Sequence, residues 1–292
     1  RAIPARRPIQ VFDFTKQYGR FIPGLSGMAY PIHSFDVSLD EAQEIQRNLR
    51  TQVIVADTMT QSDIDIVGGA DIAFIADSER ETVACRDTAR TDAVRAVRRF
   101  GGHFHDGSVT ALAAIVTIDI RTNRLIEKTY AEAPVYFPYI PGFLSFREGP
   151  AVLAALKELR VPPSVMIYDG CGIAHQRGIG LASHMAVLTG IPSVGCAKSL
   201  LCGTCPEPSP NRGDWTEIRY KGSAVGSCLR TRENVRPVYV SPGSGFGIDG
   251  ARELVMMCVD RFRLPEPTRL AHAAVTARKK ELRNAGTEAR VI

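Results

Sequence analysis

The sequence IVGGADIAFI, residues 66–75, predicts a buried β-strand that carries one acidic residue. Ile72 and Phe74 alternate with smaller residues, which is the period expected of a strand. Placing a carboxylate among apolar residues is costly unless the carboxylate is paired or bound to a cation. Asp71 is therefore the first candidate functional residue.

Outward from this strand, the pattern predicts more strands and then alternating helices and strands. The further strands are expected at residues 111–120, 125–135, 164–168 and 193–197. A turn at 121–124 joins the first two of these and favours an antiparallel meander. The run SVMIY at 164–168 is typical of a buried parallel strand, and it ends in Asp169-Gly170.

Helices are expected between the later strands. AVLAALKELR follows Pro150, which suits the first position of a helix, and a second helix is expected at about 180–188. Three antiparallel strands followed by helix, strand, helix and strand indicate an α/β protein. Its predicted core is a mixed five-stranded sheet of the RNase H type, flanked by helices. In such a sheet the first and fourth strands are neighbours, so Asp71 and Asp169 are expected to lie close together.

The expected core domain covers residues 38–270. Residues 1–37 have no steady period and predict an irregular arm, after which Ser38 and Glu41 form the capping box of a helix. Residues 271–292 are expected to form a basic tail. A solvated helix is favoured there over a phosphate-binding role.

The composition, 45% hydrophobic and 23% charged, is ordinary for a globular protein. No run of roughly 18 apolar residues is present, so no membrane partner is expected. The net charge of +5 permits a polyanionic partner. The first residues lack the apolar stretch of a signal peptide, and the seven cysteines lack framework spacing. Both features favour the cytoplasm. Cys202 and Cys205 form a lone CxxC pair, for which loop thiols are favoured over a zinc site.

Three carboxylates are candidates for a metal site. Asp71 and Asp169 are expected at adjacent strands, and Glu148 lies just before the helix that follows Pro150. Hard oxygen donors suit Mg²⁺ better than zinc. The alternatives are that Asp169 caps the following helix and that Glu148 is a helix-start carboxylate favoured by the dipole.

Several stretches resemble the endonuclease V family, and they occur in the family's order over about residues 38–270. They are GGAD (68–71), FPYIPGFLSFRE (137–148), YDGCGIAH (168–175), GLASH (180–184), GCAK (195–198), LCG (201–203) and LPEPTR (264–269). One tetrapeptide would be weak evidence, whereas this ordered set is specific.

The resemblance implies an RNase H-like endonuclease that acts as a monomer on inosine-containing DNA or RNA. Cleavage is expected at the second phosphodiester bond 3′ to inosine or deoxyinosine. Asp71, Glu148 and Asp169 are implied as the catalytic, metal-binding carboxylates. The implied cofactor is Mg²⁺, for which Mn²⁺ can substitute.

The resemblance also implies how the substrate is held. Tyr139, between Pro138 and Ile140, is the expected wedge that fills the gap left by a flipped base. A loop aromatic packed on the core is the alternative. Lys198 and His175 are expected beside the scissile phosphate, whereas His184 is expected to be a packed core histidine. The residues expected to line the base pocket are Gly142, Leu144, Gly170 and Gly172.

Two features depart from the family. Ser244 stands where the family carries a histidine of its catalytic set, and serine cannot replace imidazole as a proton carrier. An inosine-binding homologue with impaired catalysis is therefore the alternative function. A nuclease without base preference is a second rival. Asp249 is expected to cap a helix whose apolar stripe runs to Phe262. Residues 77–108, with His103-Phe104-His105-Asp106, predict a surface insertion between the first two strands.

Overall fold

The structure is a computed structural model that describes residues 33–76 and 109–288. Residues 66–76 form a strand, as expected. The strands are β1 (Ile66–Ala76), β2 (Val109–Asp119), β3 (Arg124–Pro134), β4 (Val165–Tyr168), β5 (Ser193–Ala197), β6 (Trp215–Tyr220), β7 (Ser223–Leu229) and β8 (Val238–Ser244). The helices are α1 (Leu39–Arg50), α2 (Leu144–Lys157), α3 (Leu181–Thr189), α4 (Ile248–Met257) and α5 (Glu266–Glu288).

The described strands form one mixed sheet in the order β3-β2-β1-β4-β5-β8-β7-β6. β1, β2 and β3 form the expected antiparallel meander, and β1 pairs with β4 in parallel. The predicted fold class, a mixed sheet flanked by helices, is confirmed. The sheet has eight strands instead of five, because β8, β7 and β6 extend it beyond β5. β6 buries only Ile218, so its sequence lacks the apolar alternation that predicts a strand.

Helices cover both faces of the sheet, and each face has its own apolar core. On one face, α1, α2 and α3 bury residues such as Ile45, Phe146 and Met185 against the strands. On the other face, α4 and α5 bury Leu254 and Ala271 against strands that include β4 and β5. This three-layer arrangement leaves the carboxyl ends of β4 and β5 uncovered by the core, which is where α/β proteins commonly place their sites.

Helix α2 begins earlier than its sequence suggests. It starts at Leu144, so Pro150 lies inside the helix and not at its first position. Pro150 is fully enclosed, and its buried contacts stabilise a residue that costs the helix one backbone hydrogen bond. As a consequence, Glu148 belongs to the helix itself and is not in the loop before it.

The C-terminal helices also differ from expectation. α4 ends at Met257, so Phe262 is 52% exposed and does not continue the apolar stripe. Its cap is Gly247, whose N–H donates to Asp57 Oδ1 at 2.8 Å, and Asp249 instead pairs with Arg252. The expected boundary at residue 270 falls inside α5. That helix is not merely a solvated tail, because its apolar side packs against β1 and β2.

The end of the expected N-terminal arm packs into the core. His33, Phe35 and Val37 are each less than 10% exposed and lie against α2 and α3. The capping box of Ser38 and Glu41 is confirmed at the start of α1. The rest of the arm and the expected insertion, including His103 to Asp106, lie outside the described residues. Within the described ranges, no helix is long and apolar enough to cross a membrane.

Candidate active site

Asp71 and Asp169 are brought together by the parallel pairing of β1 and β4. Ala70 faces Tyr168 across this ladder, so the two aspartates are the next pair, at an inter-strand spacing of about 5 Å. Their side chains are 14% and 26% exposed. Removal from water raises the pKa of Asp71, and the charge of Asp169 raises it further.

Glu148 faces the same two carboxylates from the first turns of α2. Removal from water, followed by repulsion from Asp71 and Asp169, raises the pKa of Glu148 to about 8. Arg147 only partly opposes this effect. The three predicted acidic residues therefore interact electrostatically within one cluster.

Two nitrogen-bearing side chains from other parts of the chain contact the cluster. Lys198, one residue after β5, forms an ion pair with Asp169. His272, on α5, contacts Asp71 with Nδ1 2.8 Å from Oδ2. Gly69 permits this approach, since a Cβ there would stand 2.2 Å from the backbone of Pro267 in the first turn of α5. Sequence reasoning missed His272, which lies three residues after the end of the quoted LPEPTR stretch.

The side chains of the cluster offer only some of the ligands that a bound metal ion needs. Within residues 33–76 and 109–288, there is no cage of three or more His, Cys, Asp or Glu side chains that could hold a metal ion, and this includes Cys202 and Cys205. Mg²⁺ does not need such a cage, because it keeps several waters and binds through one or two carboxylates. A cluster of three acidic residues, which supply hard oxygen donors, fits such a cation.

A cleft of about 660 Å³ adjoins the cluster. Asp169 and Lys198 line it, as do residues 139–142 of the loop that spans residues 137–143. Tyr139 on this loop is 52% exposed, and it is not packed on the core. Pro138 and Ile140 flank it and are partly buried, which anchors the loop on both sides of an exposed ring.

The expected pocket residues divide into two groups. Gly142, Leu144 and Gly170 line the cleft, and their contact with a base stays a prediction. Gly172 does not line it. A Cβ at Gly172 would stand 1.8 Å from Pro242 O, and its N–H donates to Ser241 Oγ at 2.8 Å. Gly172 is thus a packing position behind the cleft, needed because β8 passes so close.

Comparison with known proteins identifies the family. The family model described as Endonuclease V matches residues 102–273. An endonuclease V from Roseiflexus sp. (strain RS-1) is 42% identical over 244 residues, which are 82% of this chain and 95% of that protein. The chain belongs to the endonuclease V family. The resemblance seen in its motifs is confirmed, and the protein is a nuclease.

Solved endonuclease V structures share the fold. The crystal structure from Streptomyces avermitilis is 33% identical, with a TM-score of 0.70 over 85% of this chain and 96% of that one. Ciona intestinalis endonuclease V, in complex with a 24mer DNA containing an inosine followed by a ribo-adenosine, is 21% identical. Its TM-score is 0.62, over 83% of this chain and 98% of that one. At that identity the likeness concerns the fold.

In this endonuclease V, His175 lines the same cleft as Asp169 and Lys198, and its expected place beside the scissile phosphate stays a prediction. The side chain is 2% exposed, and removal from water lowers its pKa to about 4, so the ring is neutral. Nδ1 accepts from the Arg177 N–H at 3.1 Å, and Nε2 donates to Gly142 O at 2.9 Å. With both ring nitrogens engaged by the backbone, His175 is placed to hold the 137–143 loop. His184 is a buried core histidine, as expected, and bonds to Ser145 and His33.

Ser244, the expected departure from the family, lies away from the carboxylates. It pairs with Ser193 at the first residue of β5, whereas Lys198 follows the last. These two ends are about 15 Å apart at the rise of a strand. Ser244 Oγ accepts from the Ile54 N–H at 3.0 Å. A histidine at this position would therefore not reach Asp71, and His272 supplies the imidazole that contacts the cluster.

Proposed function

We propose that this protein is a Mg²⁺-dependent endonuclease that nicks DNA or RNA at the second phosphodiester bond 3′ to deoxyinosine or inosine. The observation that carries the proposal is the cluster of Asp71, Glu148 and Asp169 beside a cleft that the exposed Tyr139 also lines. A carboxylate cluster alone suits any phosphodiester. The adjoining cleft adds a place for a base removed from its stack.

In this proposal, Asp71, Glu148 and Asp169 hold Mg²⁺, and Mn²⁺ substitutes because it accepts the same oxygen ligands. When bound, the cation supplies positive charge to the reacting phosphate and makes a nearby water more acidic. His272 orients the Asp71 carboxylate through its 2.8 Å contact. Lys198 presents its ammonium group to the phosphate and offsets the negative charge that develops there.

The 137–143 loop recognises the base. Tyr139 stacks in the gap left by the flipped nucleotide, and this stacking offsets part of the cost of flipping. Pro138 and Ile140 hold the ring in place, and Gly142 and Leu144 border the pocket with Gly170 opposite. The inosine-containing DNA held by the Ciona intestinalis relative supports the choice of base.

The alternative, an inosine-binding homologue with impaired catalysis, rested on the absence of a histidine at Ser244. The position of Ser244 at the far end of β5 weakens that argument, since the side chain bonds to the Ile54 backbone there. The acidic residues, Lys198 and an imidazole are all present at the cluster. An active enzyme is therefore favoured.

The test is cleavage of end-labelled oligonucleotides with a single inosine, in DNA and in RNA, with Mg²⁺, with Mn²⁺ and with EDTA. We expect metal-dependent nicking at the second bond 3′ to inosine and little nicking of the matched adenine strand. Tight binding without nicking would favour the binding homologue. Equal nicking of both strands would favour a nuclease without base preference.

The choice between DNA and RNA depends on contacts to the 2′-OH, so the same experiment compares both sugars. We also propose that the enzyme acts as a monomer in the cytoplasm. An elution mass near 31.8 kDa would support the monomer, and twice that value would contradict it.

A further inference from the structure

The carbonyl oxygen of Gly142 receives an unusual number of hydrogen bonds. Gln46 Nε2 donates to it at 2.9 Å, Arg177 Nη2 at 2.7 Å and His175 Nε2 at 2.9 Å. A backbone carbonyl has two lone pairs and is satisfied by one or two donors. Three side-chain donors on one oxygen exceed what satisfying this carbonyl requires.

Two of the donors also hold each other. Arg177 Nε donates to Gln46 Oε1 at 2.5 Å, so the Gln46 amide presents its oxygen to the guanidinium and its NH₂ to Gly142. Only this orientation of the amide satisfies both partners. The guanidinium also lies over the Phe143 ring, 4.1 Å from its centroid. Gln46 and Arg177 thus contact two consecutive residues of the 137–143 loop.

The backbone geometry at Gly142 explains why these contacts are needed. We call Gln46 and Arg177, which make them, the clamp. Gly142 has φ +86°, in the left-handed region, and a Cβ there would stand 2.5 Å from Gln176 Oε1. Glycine is the most flexible backbone position, so a loop that turns through it needs outside contacts to keep one conformation. The contacts come from α1 and from the turn after β4, which are far apart in sequence.

We propose that Gln46 and Arg177 are positioning residues that fix the 137–143 loop in the conformation that discriminates inosine from adenine. This inference rests on the proposed function. Discrimination between two purines requires polar groups at fixed places along the base edge, and a loop that moves by about 1 Å loses much of it. Neither side chain needs to contact the scissile phosphate, so their loss should affect base selection more than phosphodiester hydrolysis.

Two substitutions at Gln46 distinguish a positioning role of the clamp from a role in packing alone. Gln46→Glu keeps an acceptor for Arg177 but removes the donor to Gly142 and puts a negative charge against its carbonyl. Gln46→Met keeps the volume and removes both polar partners. Asn48→Ala is the matched control, because Asn48 is exposed on the same helix.

The first measurement is kcat/KM on an inosine strand and on the matched adenine strand. We expect both Gln46 variants to lower the inosine-to-adenine ratio about tenfold, with the control unchanged. A substitution that only reduced the amount of folded enzyme would lower both rates equally. An unchanged ratio would overturn the inference.

The second measurement is amide hydrogen exchange over residues 137–145, which does not depend on activity. We expect faster exchange there in both Gln46 variants and no change in peptides from β2 and β3. Unchanged exchange would refute the clamp even if the wild-type enzyme prefers inosine. Equal cleavage of both strands by the wild-type enzyme would instead contradict the proposed function, while the exchange data would still decide the clamp.

Discussion

Asp71, Glu148 and Asp169 form a cluster in which burial and mutual repulsion raise the pKa of Glu148, whereas the carbonyl of Gly142, on the 137–143 loop, is held by three donors. In the carboxylate cluster, burial and the charges of Asp71 and Asp169 oppose ionisation of Glu148, and a bound cation would favour that ionisation. The 137–143 loop already has its hydrogen-bond partners, among them the buried, neutral His175. The proposed hydrolysis therefore depends on charged groups, whereas the proposed base recognition depends on satisfied hydrogen bonds. Substitutions in the cluster and in the supports of the loop should have different effects.

The largest effect is expected from Asp71→Asn. The amide cannot balance a cation as a carboxylate does, so Mg²⁺-dependent nicking of an inosine strand should fall about a thousandfold. Binding of the same strand in EDTA should persist, since the 137–143 loop is untouched. Asp65→Asn is the control, because Asp65 is an exposed carboxylate paired with Arg121. Undiminished nicking by Asp71→Asn would exclude Asp71 from the metal site.

Acid should weaken the loop side of the molecule. His33 and His184 are buried with their Nε2 atoms 2.7 Å apart, and removal from water lowers the pKa of His33 to about 4. The unfolded chain therefore binds a proton that the folded chain refuses between pH 6.5 and 4. Over that window His33 contributes a loss of about 3 kcal/mol in the free energy of unfolding as the pH falls.

The measurement is urea unfolding at pH 7, 6 and 5 for the wild type and for His33→Gln, which can hydrogen bond but does not titrate here. The variant should lose less stability with acid. Glu148 has a raised pKa, so its contribution has the opposite sign, with stability lost as the pH rises, and it cancels in the difference between the two proteins. Parallel pH curves for the two proteins would contradict the assignment to His33.

A smaller effect is expected from His272→Ala. His272 is 62% exposed and contacts Asp71 only through one hydrogen bond, so its loss should misorient the carboxylate without removing it. We expect nicking to fall about tenfold, and the inosine-to-adenine ratio to stay constant because the loop is distant. Lys280→Ala, exposed two turns along the same helix, is the control. A changed inosine-to-adenine ratio would show that the carboxylate cluster and the 137–143 loop are coupled.

The same contrast explains how far the sequence could be used. Asp71 and Asp169 were predictable because a carboxylate within or directly after an apolar strand is a strong signal, and the pairing of β1 with β4 follows from the order of elements. Pro150 led to a wrong prediction of where α2 starts, because its buried packing outweighs the usual preference of proline for the first turn of a helix. The strand β6 buries only Ile218, and β7 and β8 bury small polar residues such as Ser227 and Ser241, so the three strands lack the apolar pattern that predicts a strand.

Residues that act through long-range contacts could not be found this way. Gln46 and Gly142 are separated by 96 positions, and no spacing rule links a helix glutamine to a loop carbonyl. His272 and Asp71 are separated by 201 positions, and their contact depends on the close approach that Gly69 allows. The motif that ends at Arg269 pointed to this helix, but only the packing of α5 on β1 identifies which of its side chains reaches the cluster.

The smallest effect is expected from Ser244→His, although the motif comparison alone would predict a large gain. Ser244 lies at the far end of β5 from Lys198, and its Oγ accepts from Ile54 N–H at 3.0 Å. An imidazole there is about 15 Å from the cluster and cannot carry a proton to or from the reacting phosphate. Nicking should therefore stay within about twofold of the wild type, measured on the same inosine strand. A gain of tenfold or more would show that the region around Ser244 contacts the substrate. The function of the site would then depend on this region as well as on the carboxylate cluster and the 137–143 loop.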